Sequence, residues 1–557
     1  MGTLAQVGRK KIYLIQPKFT PSYWGQEHFV KMTPYGAVYP PLGLITLSAL
    51  TPRDYEVTLC DENAGEKIDF ETSAEIVGVT GYLFQREHVF EVADRLRRPG
   101  RTVVLGGPMA TLVPEDCRPH CDVLFEGEAE YTWPRFLRDH ESGCHANCYQ
   151  QHEKIHLPDS PPPRLDILKK SYAQGIVQCT RGCPFTCDFC DIIVMYGRVM
   201  RFKPVRQVIR EIEAWQARGA GKVFFADDNF IGNRAYAKEL LRAVAKWNRR
   251  QRRPIGFYTQ ASIDMVRDQE LLELLRDANF FAVFLGIETP RKASLAEASK
   301  TQNVKLDMVK AVHKIQSYNL FVTAGMIVGF DNDDPAVFEE QYAFLQAAQI
   351  PIVLVNALEA VPRTPLYNRL KAEGRLLNGH PDADDTTRYE SGVGRTNFRL
   401  KHMSGRELKE GLERLFQKLY APEAFSARLL GNLSRFKNVT FRPERLQASY
   451  LLIFWRLIRY YWSQGWVARK FFFGSLWGTL RQVPRVTGQM AIYLGMYVHF
   501  LEIHRRALAW DPWSKAESKP RTFDEDLTAT ILPFPANRVH REHESGDWEA
   551  VAACKAA

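Results

Sequence analysis

Residues 175–190 read GIVQCTRGCPFTCDFC, a short apolar run followed at once by a loop rich in cysteine. The apolar run is typical of a buried strand. The loop holds Cys183, Cys187 and Cys190 at the spacing C-x-x-x-C-x-x-C. Thiolates are the preferred ligands of iron–sulfur clusters, and three of them leave one iron of a [4Fe–4S] cluster open, much as catalytic zinc keeps a free position. The stretch therefore predicts a metal centre at the carboxyl end of a strand.

A zinc site is the main alternative for this loop. Zinc usually takes four protein ligands in structural sites, and no second cysteine pair follows at a suitable spacing. Cys179 is interpreted as a buried strand residue, whereas Cys144 and Cys148 lie in a polar stretch and are interpreted as exposed thiols. Ten unevenly clustered cysteines in 557 residues indicate metal ligation in a reducing compartment rather than a disulfide scaffold.

Residues 165–395 alternate strand-like and helix-like segments around this loop. Six β/α units predict a partial (β/α)6-type barrel, in which catalytic groups gather at the carboxyl ends of the strands. The predicted strands are residues 175–179, 222–227, 255–260, 281–288, 321–330 and 352–360.

The preceding residues, 8–150, predict a separate Rossmann-like α/β domain. Apolar runs alternate with helical segments, which indicates a doubly wound parallel sheet that binds ligands at its carboxyl edge. The predicted strands are residues 11–17, 55–61, 75–81, 101–108 and 122–128. A polar, proline-containing linker follows at residues 141–165.

The chain turns helical after the barrel. Residues 396–510 predict an α-helical domain, and residues 511–557, which are polar and weakly periodic, are expected to be disordered. Within the helical region, segment 435–485 is rich in arginine and aromatic residues. Amphipathic helices on an anionic membrane surface and a helical cap packed on the barrel both fit this composition.

Composition limits the class of protein. Apolar residues make up 45% of the chain and the net charge is +10, values typical of a globular protein and too mild to indicate nucleic-acid binding. The sequence lacks an apolar run of membrane-spanning length and an N-terminal signal peptide. We expect a cytoplasmic protein, with peripheral contact at the inner membrane face as the open question.

The cysteine loop, including Phe189, resembles the radical S-adenosylmethionine (SAM) superfamily motif. The resemblance implies that the three cysteines hold a [4Fe–4S] cluster and that the open iron takes the amino and carboxylate groups of SAM. It also implies that Phe189 packs on the adenine ring. Further SAM contacts are implied at the strand ends of the barrel: Asp227, Asp228 and Asn229 for the amino group, Glu288 for the ribose, and the backbone from Gly325 to Gly329 for the adenine.

The order of the domains resembles the cobalamin-binding subgroup of this superfamily, as do the strings LGGPMATLVPE and DVLFEGEAEYTW. The resemblance implies that the corrin or its nucleotide tail is lined by Thr80, Gly81, Gly106, Gly107, Gly127 and Glu128. A Rossmann-like domain without a ligand is the alternative. No Asp-x-His-x-x-Gly motif is present, so the hypothesis is that cobalt has no protein imidazole beneath it, with His28 and His88 as the candidate exceptions.

Residues 10–505 most resemble a subfamily with a C-terminal helical domain that includes hopanoid C-2 methylases. The strings that carry this resemblance are CDFCDIIVMYGR, FFADDNFIGN, FLGIETP and AGMIVGFDND. The string ALEAVPRTPLYNRLKAEGRL resembles an end-of-barrel segment of cobalamin-binding radical SAM proteins, and Arg363 departs from it because a small residue usually precedes Thr364 there. This cation lies either near the site or on the surface.

The implied reaction is cobalamin-dependent C-methylation of an unactivated carbon through a 5′-deoxyadenosyl radical. The substrate would be lipid-like, for example a hopanoid, or a secondary metabolite. The implied electron donor is a flavodoxin or ferredoxin. Two alternatives stay open at this point: a non-methylating radical SAM enzyme that forms a ring or C–C bond, and a sensor that binds SAM without turnover.

Overall fold

The computed structural model describes residues 9–377, 396–439, 441–442, 448–508 and 512–513. The segment expected to be disordered, 511–557, lies outside the described residues except for 512–513. Two parallel sheets and a set of C-terminal helices make up this part of the chain.

The first sheet has six parallel strands in the order β2-β1-β3-β4-β5-β6. Alternate residues of the first strand enter two different cores, Ile12 and Leu14 one of them and Tyr13 and Ile15 the other, so both faces of the sheet are covered, as parallel sheets require. The strands are β1 (Lys11–Gln16), β2 (Glu56–Asp61), β3 (Ile76–Thr80), β4 (Thr102–Gly106), β5 (Val123–Glu126) and β6 (Cys148–Gln150).

All five strands predicted before residue 150 are confirmed, whereas β6 was missed. This edge strand is only three residues long and contains the polar pair Gln150 and Cys148, so no apolar run marks it. Cys148 is consequently half-buried rather than solvent-exposed, and Cys144 is exposed as expected. The helices around this sheet are α1 (Glu27–Val30), α2 (Leu42–Leu50), α3 (Arg86–Leu96), α4 (Pro108–Leu112), α5 (Pro114–Cys117) and α6 (Thr132–Glu141).

The second sheet is the predicted partial barrel, with strand order β14-β13-β12-β11-β10-β7 and every neighbouring pair parallel. Among the described residues its edge strands, β7 and β14, do not pair with each other, so six strands form an open, incomplete barrel. The strands are β7 (Gly175–Val177), β10 (Lys222–Phe225), β11 (Gly256–Ala261), β12 (Phe280–Glu288), β13 (Phe321–Val328) and β14 (Ile352–Ala357).

A small antiparallel pair flanks the cysteine loop, formed by β8 (Thr180–Arg181) and β9 (Arg201–Phe202). Helices cover the outside of the barrel because their apolar faces pack on its strands. They are α8 (Val205–Ala217), α9 (Arg234–Arg249), α10 (Gln269–Asp277), α11 (Lys292–Glu297), α12 (Thr301–Val304), α13 (Met308–Gln316), α14 (Val337–Ala348) and α15 (Pro365–Ala372). The short helix α7 (Ile192–Tyr196) directly follows the cysteine loop and has no buried residue.

The C-terminal helices connect the two sheets. They are α16 (Gly405–Tyr420), α17 (Pro422–Ser434), α18 (Ala448–Ser463), α19 (Trp466–Gln482) and α20 (Thr487–Leu508). Helix α20 packs closely on α1, since a Cβ added to Gly495 would lie 2.2 Å from the ring of Phe29. Among the described residues, no helix combines the length and the apolarity needed to cross a bilayer.

Candidate active site

The cysteine loop runs from the end of β8 to the start of α7 and is folded tightly on its own flank. Gly182 has φ +94°, and a Cβ there would lie 2.8 Å from the carbonyl oxygen of Val199. A side chain at this position would therefore be both strained and blocked. The amide of Cys183 donates to the carbonyl of Gly197 at 3.3 Å, so the glycine lets the loop double back immediately before its first cysteine.

The rest of the loop is tied to the far side of the barrel. Asp188 donates its amide to the carbonyl of Ala298 and accepts from the amide of Leu366 at 2.9 Å. The ring of Phe189 lies 6.2 Å from that of Phe330, edge to face. These contacts hold the loop over the carboxyl edge of the second sheet.

The three predicted cluster ligands, Cys183, Cys187 and Cys190, are all half-buried, and none of them forms a disulfide bond. Burial raises the pKa of each thiol. Lys300 opposes this effect at Cys187, because a nearby cation favours the thiolate. In the described part of the chain no three His, Cys, Asp or Glu side chains converge on one metal ion. In an iron–sulfur cluster each thiolate binds its own iron, so the three sulfur atoms need not converge on one point as they would around a single ion.

The three polar residues after β10 have different surroundings. Asp227 is buried and accepts hydrogen bonds from the amide and thiol of Cys179, at 3.0 and 2.9 Å. Asn229 exchanges hydrogen bonds with Ser262. Among the described residues, Asp228 accepts a hydrogen bond from the amide of Gly182, at 3.1 Å, and it lines the cavity between the two sheets. Asp227 thus anchors the loop, and Asp228 is the one of these three residues that lines the cavity.

Glu288, at the end of β12, forms a buried ion pair with Lys300. Its φ of +68° is rare for a residue with a side chain and turns the carboxylate toward this partner. A Cβ on Gly286 would lie 2.7 Å from the Lys300 amine, so the glycine makes room for the lysine. The sequence motif does not identify Lys300, which lies twelve residues beyond the strand end.

Gly325 within β13 and Gly329 just after this strand have different roles. A Cβ on Gly325 would lie 2.8 Å from the ring of Phe284. Gly329 has φ +118°, and its amide donates to Asp333 at 3.0 Å. The first glycine lets a neighbouring strand's aromatic ring cross the barrel interior, and the second starts a turn that only glycine adopts easily.

The glycine turns at the carboxyl edge of the first sheet form a cradle with little side-chain cover. Gly107 has φ +93°, and a Cβ there would lie 2.2 Å from the hydroxyl of Thr80. The hydroxyl of Thr111 connects two turns, since it donates to the carbonyl of Gly107 and accepts from the amide of Gly127. Gly81 instead packs against helix α3, where a Cβ would lie 2.5 Å from Val89.

A cavity of about 1310 Å³ lies between the carboxyl edges of the two sheets. This volume exceeds that of ordinary small-molecule pockets, which hold about 300–1,000 Å³. The first sheet lines it with Thr80, Gly106, Gly107, Gly127 and Glu128, and the barrel side lines it with Arg181, Asp191, Asp228, Gln260 and Glu359. Two domains thus face one space, with the end of the cysteine loop in its wall.

Comparison with known proteins agrees with this geometry. A family described as "Radical SAM superfamily" matches residues 177–345, and one described as "Domain of unknown function (DUF4070)" matches residues 364–510. An uncharacterized methyltransferase of Synechocystis sp. is 38% identical over 66% of this chain and 69% of its own length. The hopanoid C-2 methylase of Rhodopseudomonas palustris is 33% identical over 66% of this chain and 71% of its own length.

The chain belongs to the radical SAM superfamily. It falls in the subfamily that includes the hopanoid C-2 methylase. The fold also resembles the solved structure of the cobalamin-dependent S-adenosylmethionine radical enzyme OxsB with aqua-cobalamin and S-adenosylmethionine bound. That likeness covers 90% of this chain and 80% of the other, at a TM-score of 0.57 and 15% identity.

As a radical SAM enzyme, the protein uses a [4Fe–4S] cluster and SAM. The donor set fits: three half-buried thiols stand on one tightly held loop. The cradle formed by the glycine turns of the first sheet fits a flat, bulky group, because the Gly106–Gly107 turn keeps side chains away from the cavity wall. Asp191, Asp228 and Glu359 supply carboxyl groups on the remaining wall, and burial raises the pKa of both Asp228 and Glu359 to about 7.

The two histidines considered as cobalt ligands are placed differently. His88 pairs with Glu62 at 2.7 Å and is not among the residues that line the cavity. His28 lines the cavity, and its backbone amide donates to His499. Among the described residues, His28 is the one histidine on the cavity wall.

Arg363, the departure from the family pattern, joins the barrel to the first sheet. Its guanidinium donates to the carbonyl of Thr111 at 2.6 Å and lies 3.6 Å from the carboxylate of Glu126. Arg363 was expected either near the site or on the surface, and both hold in part. Its side chain is partly exposed, and its guanidinium contacts residues beside the glycine turns of the first sheet. No local sequence signal predicts such a bridge, because its partners lie in another domain.

Proposed function

We propose that this radical SAM enzyme is a cobalamin-dependent C-methyltransferase. It would act on an unactivated carbon of a lipid-like substrate, for example a hopanoid, or of a secondary metabolite. The observation that carries the proposal is the shared cavity, bounded by the glycine turns of the first sheet and by the barrel edge. The names of the two relatives, a methyltransferase and a methylase, support methyl transfer.

Cys183, Cys187 and Cys190 would hold the cluster. When bound and reduced, a [4Fe–4S] cluster supplies the electron that cleaves SAM and releases a 5′-deoxyadenosyl radical. The chain's own contribution is positional. Asp227 accepts hydrogen bonds from the backbone amides of Cys179 and Thr180, so the loop enters at a set angle. Asp228 offers a carboxylate to the SAM ammonium, a charge-assisted contact.

Thr80, Gly106, Gly107 and Gly127 would hold the corrin. When bound, cobalamin supplies a carrier for the methyl group. Gly107 leaves the cradle open where any side chain would meet the Thr80 hydroxyl, and Thr111 fixes both turns. The residues between the sheets exclude water from the space in which a reactive radical forms.

The substrate pocket would lie between these two groups. Its wall includes Trp24 and Tyr82, large apolar side chains that suit a lipid-like molecule. Glu359 holds a proton near neutral pH because burial raises its pKa to about 7, so it can donate a hydrogen bond to a polar group of the substrate. A flavodoxin or ferredoxin would supply electrons, and peripheral contact with the inner membrane face would supply a lipid.

A product assay tests the proposal. Anaerobically reconstituted protein with SAM, dithionite and a lipid extract should form both 5′-deoxyadenosine and S-adenosylhomocysteine. A ring-forming radical SAM enzyme would form 5′-deoxyadenosine without S-adenosylhomocysteine, and a sensor would form neither. Either of those outcomes contradicts methyl transfer.

The absence of a protein imidazole below cobalt is a further part of the proposal. An electron paramagnetic resonance spectrum of the cob(II)alamin state should lack nitrogen splitting from a histidine. The matched variant is His28→Ala, which should leave the spectrum unchanged. A splitting that disappears in this variant would assign His28 as the lower ligand instead.

A further inference from the structure

We propose that the outer face of α18 and α19 docks on the surface of an anionic lipid membrane. Large apolar side chains are exposed along both helices, and we call this set the tryptophan face. It consists of Leu451, Phe454, Trp455, Trp462, Trp466, Phe473, Trp477 and Leu480. Most of the large apolar side chains that are exposed in the described part of the chain belong to it.

The exposed residues follow helical spacing. On α19, Trp466, Phe473, Trp477 and Leu480 recur at intervals of seven, four and three, which places them along one side of the helix. Trp466 and Trp477 are 71% and 64% exposed. The face is therefore continuous along α19 rather than a set of scattered positions, and contiguous exposed apolar patches mark interaction sites.

Core packing does not account for this face. The opposite sides of the same helices carry their own buried residues, among them Leu457, Tyr461 and Phe472. Tyr461 stacks on Phe472 at 4.8 Å and joins the two helices. The helical cap expected from the sequence is thus complete without the outer tryptophans, which remain available for a partner.

The charge of the region specifies the partner. Residues 445–501 contain no Asp or Glu, whereas Arg459, Lys470 and Arg481 are exposed beside the apolar side chains. The guanidinium of Arg469 lies over the ring of Trp462 at 4.3 Å. Tryptophan prefers the interface between headgroups and acyl chains, and basic residues beside it attract anionic lipid. This combination fits a lipid surface better than a protein interface core, where charged residues are depleted.

The face is connected to the cavity. Arg456 of α18 donates to the backbone carbonyl of Thr33 at 3.2 Å, and nearby Lys31 is one of the residues that line the cavity. A molecule that leaves the bilayer at this face would meet the cavity wall close by. The passage of a substrate from the bilayer to the cavity rests on the proposed function, but membrane binding itself does not.

Vesicle sedimentation of the reconstituted full-length protein tests the inference. Vesicles of phosphatidylcholine mixed with phosphatidylglycerol should bind the protein, and binding should weaken with salt and with phosphatidylcholine alone. The double variant Trp466→Ser/Trp477→Ser and the double variant Lys470→Gln/Arg481→Gln should each lower the partition coefficient at least about tenfold. The control Lys310→Gln/Arg406→Gln loses equal charge from exposed positions elsewhere and should bind as the wild type does.

SAM cleavage in detergent-free solution should be unchanged in all three variants, which separates this inference from the proposed function. Unaltered SAM cleavage together with lost vesicle binding in the tryptophan variant supports membrane docking through the tryptophan face, even if the methyl-transfer proposal fails. Equal vesicle binding by wild type and the tryptophan variant would overturn it. So would a wild-type dimer that the tryptophan variant dissociates, or tighter binding to a single-stranded oligonucleotide than to anionic vesicles.

Discussion

Glu128 and Arg181 form a buried ion pair with 2.8 Å between carboxylate and guanidinium, and this pair joins the first sheet to the cysteine loop. Glu128 also pairs with Arg201 at 2.8 Å, and Arg181 with Glu130 at 2.7 Å. Glu128 is only 2% exposed at its side chain. Because Arg181 directly precedes Gly182, the network holds the loop at a set position relative to the glycine turns.

Replacing Glu128 with Gln should destabilise the protein strongly. The substitution keeps the shape but leaves Arg181 and Arg201 without their shared carboxylate, and breaking a buried pair costs about 3–5 kcal/mol. Urea unfolding should show a loss of this order. The control is Glu71→Gln, which removes a pair with Arg98 at an exposed position and should cost less than about 1 kcal/mol. Equal effects of the two substitutions would mean that the network does not connect the domains.

Replacing Gly107 with Ala should impair cobalamin binding. Gly100 offers a matched control, because its φ is +78° but a Cβ there would meet nothing within 4 Å. Both substitutions should lose about 1 kcal/mol of stability from positive φ. Only Gly107→Ala would also displace the Thr80 hydroxyl, so only it should retain less cobalamin, measured by absorbance after gel filtration. Wild-type cobalamin content in Gly107→Ala would argue against this cradle.

Glu359 should make stability fall as pH rises. Burial, and secondarily the charge of Asp191, raises its pKa from 4.5 to about 7, so the folded protein keeps this proton where the unfolded chain has lost it. The unfolding free energy should therefore decline between pH 4.5 and pH 7. Glu359→Gln should reduce that decline by about 2–3 kcal/mol, because each unit of pKa difference corresponds to about 1.4 kcal/mol.

Chemical denaturation at several pH values measures this slope. Glu115→Gln, at a carboxylate that is 81% exposed at its side chain, serves as the control and should leave the slope as in the wild type. An identical slope in the Glu359 variant would mean that this carboxyl is ionised in the folded protein across the whole range.

The fold and the cysteine loop were predictable because local patterns encode them. Apolar runs marked all six barrel strands and five strands of the first sheet, and the cysteine spacing marked the loop. Strand β6 was not predictable, since its burial depends on pairing with β5 rather than on an apolar run.

The partners of the site residues were less predictable than the residues themselves. Glu128 was expected to line cobalamin; it does line the cavity, but its carboxylate is taken up by Arg181 and Arg201. Asp227 was expected at SAM, which stays a prediction, and the sequence did not indicate that its carboxylate accepts a hydrogen bond from Cys179. Residues such as Lys300 and Thr111 act through contacts that form only when distant segments fold together, and single-sequence patterns do not record such pairs.

The central claim is that three thiols on one loop hold the cluster that cleaves SAM, and the substitution Cys187→Ala tests it most directly. The control is Cys144→Ala, at an exposed cysteine far from the loop in sequence. After anaerobic reconstitution, iron, sulfide and 5′-deoxyadenosine should be measured in both variants and in the wild type. We predict that Cys144→Ala matches the wild type and that Cys187→Ala loses bound cluster and forms no 5′-deoxyadenosine. Continued SAM cleavage by Cys187→Ala, or a wild type without iron and sulfide, would contradict the account.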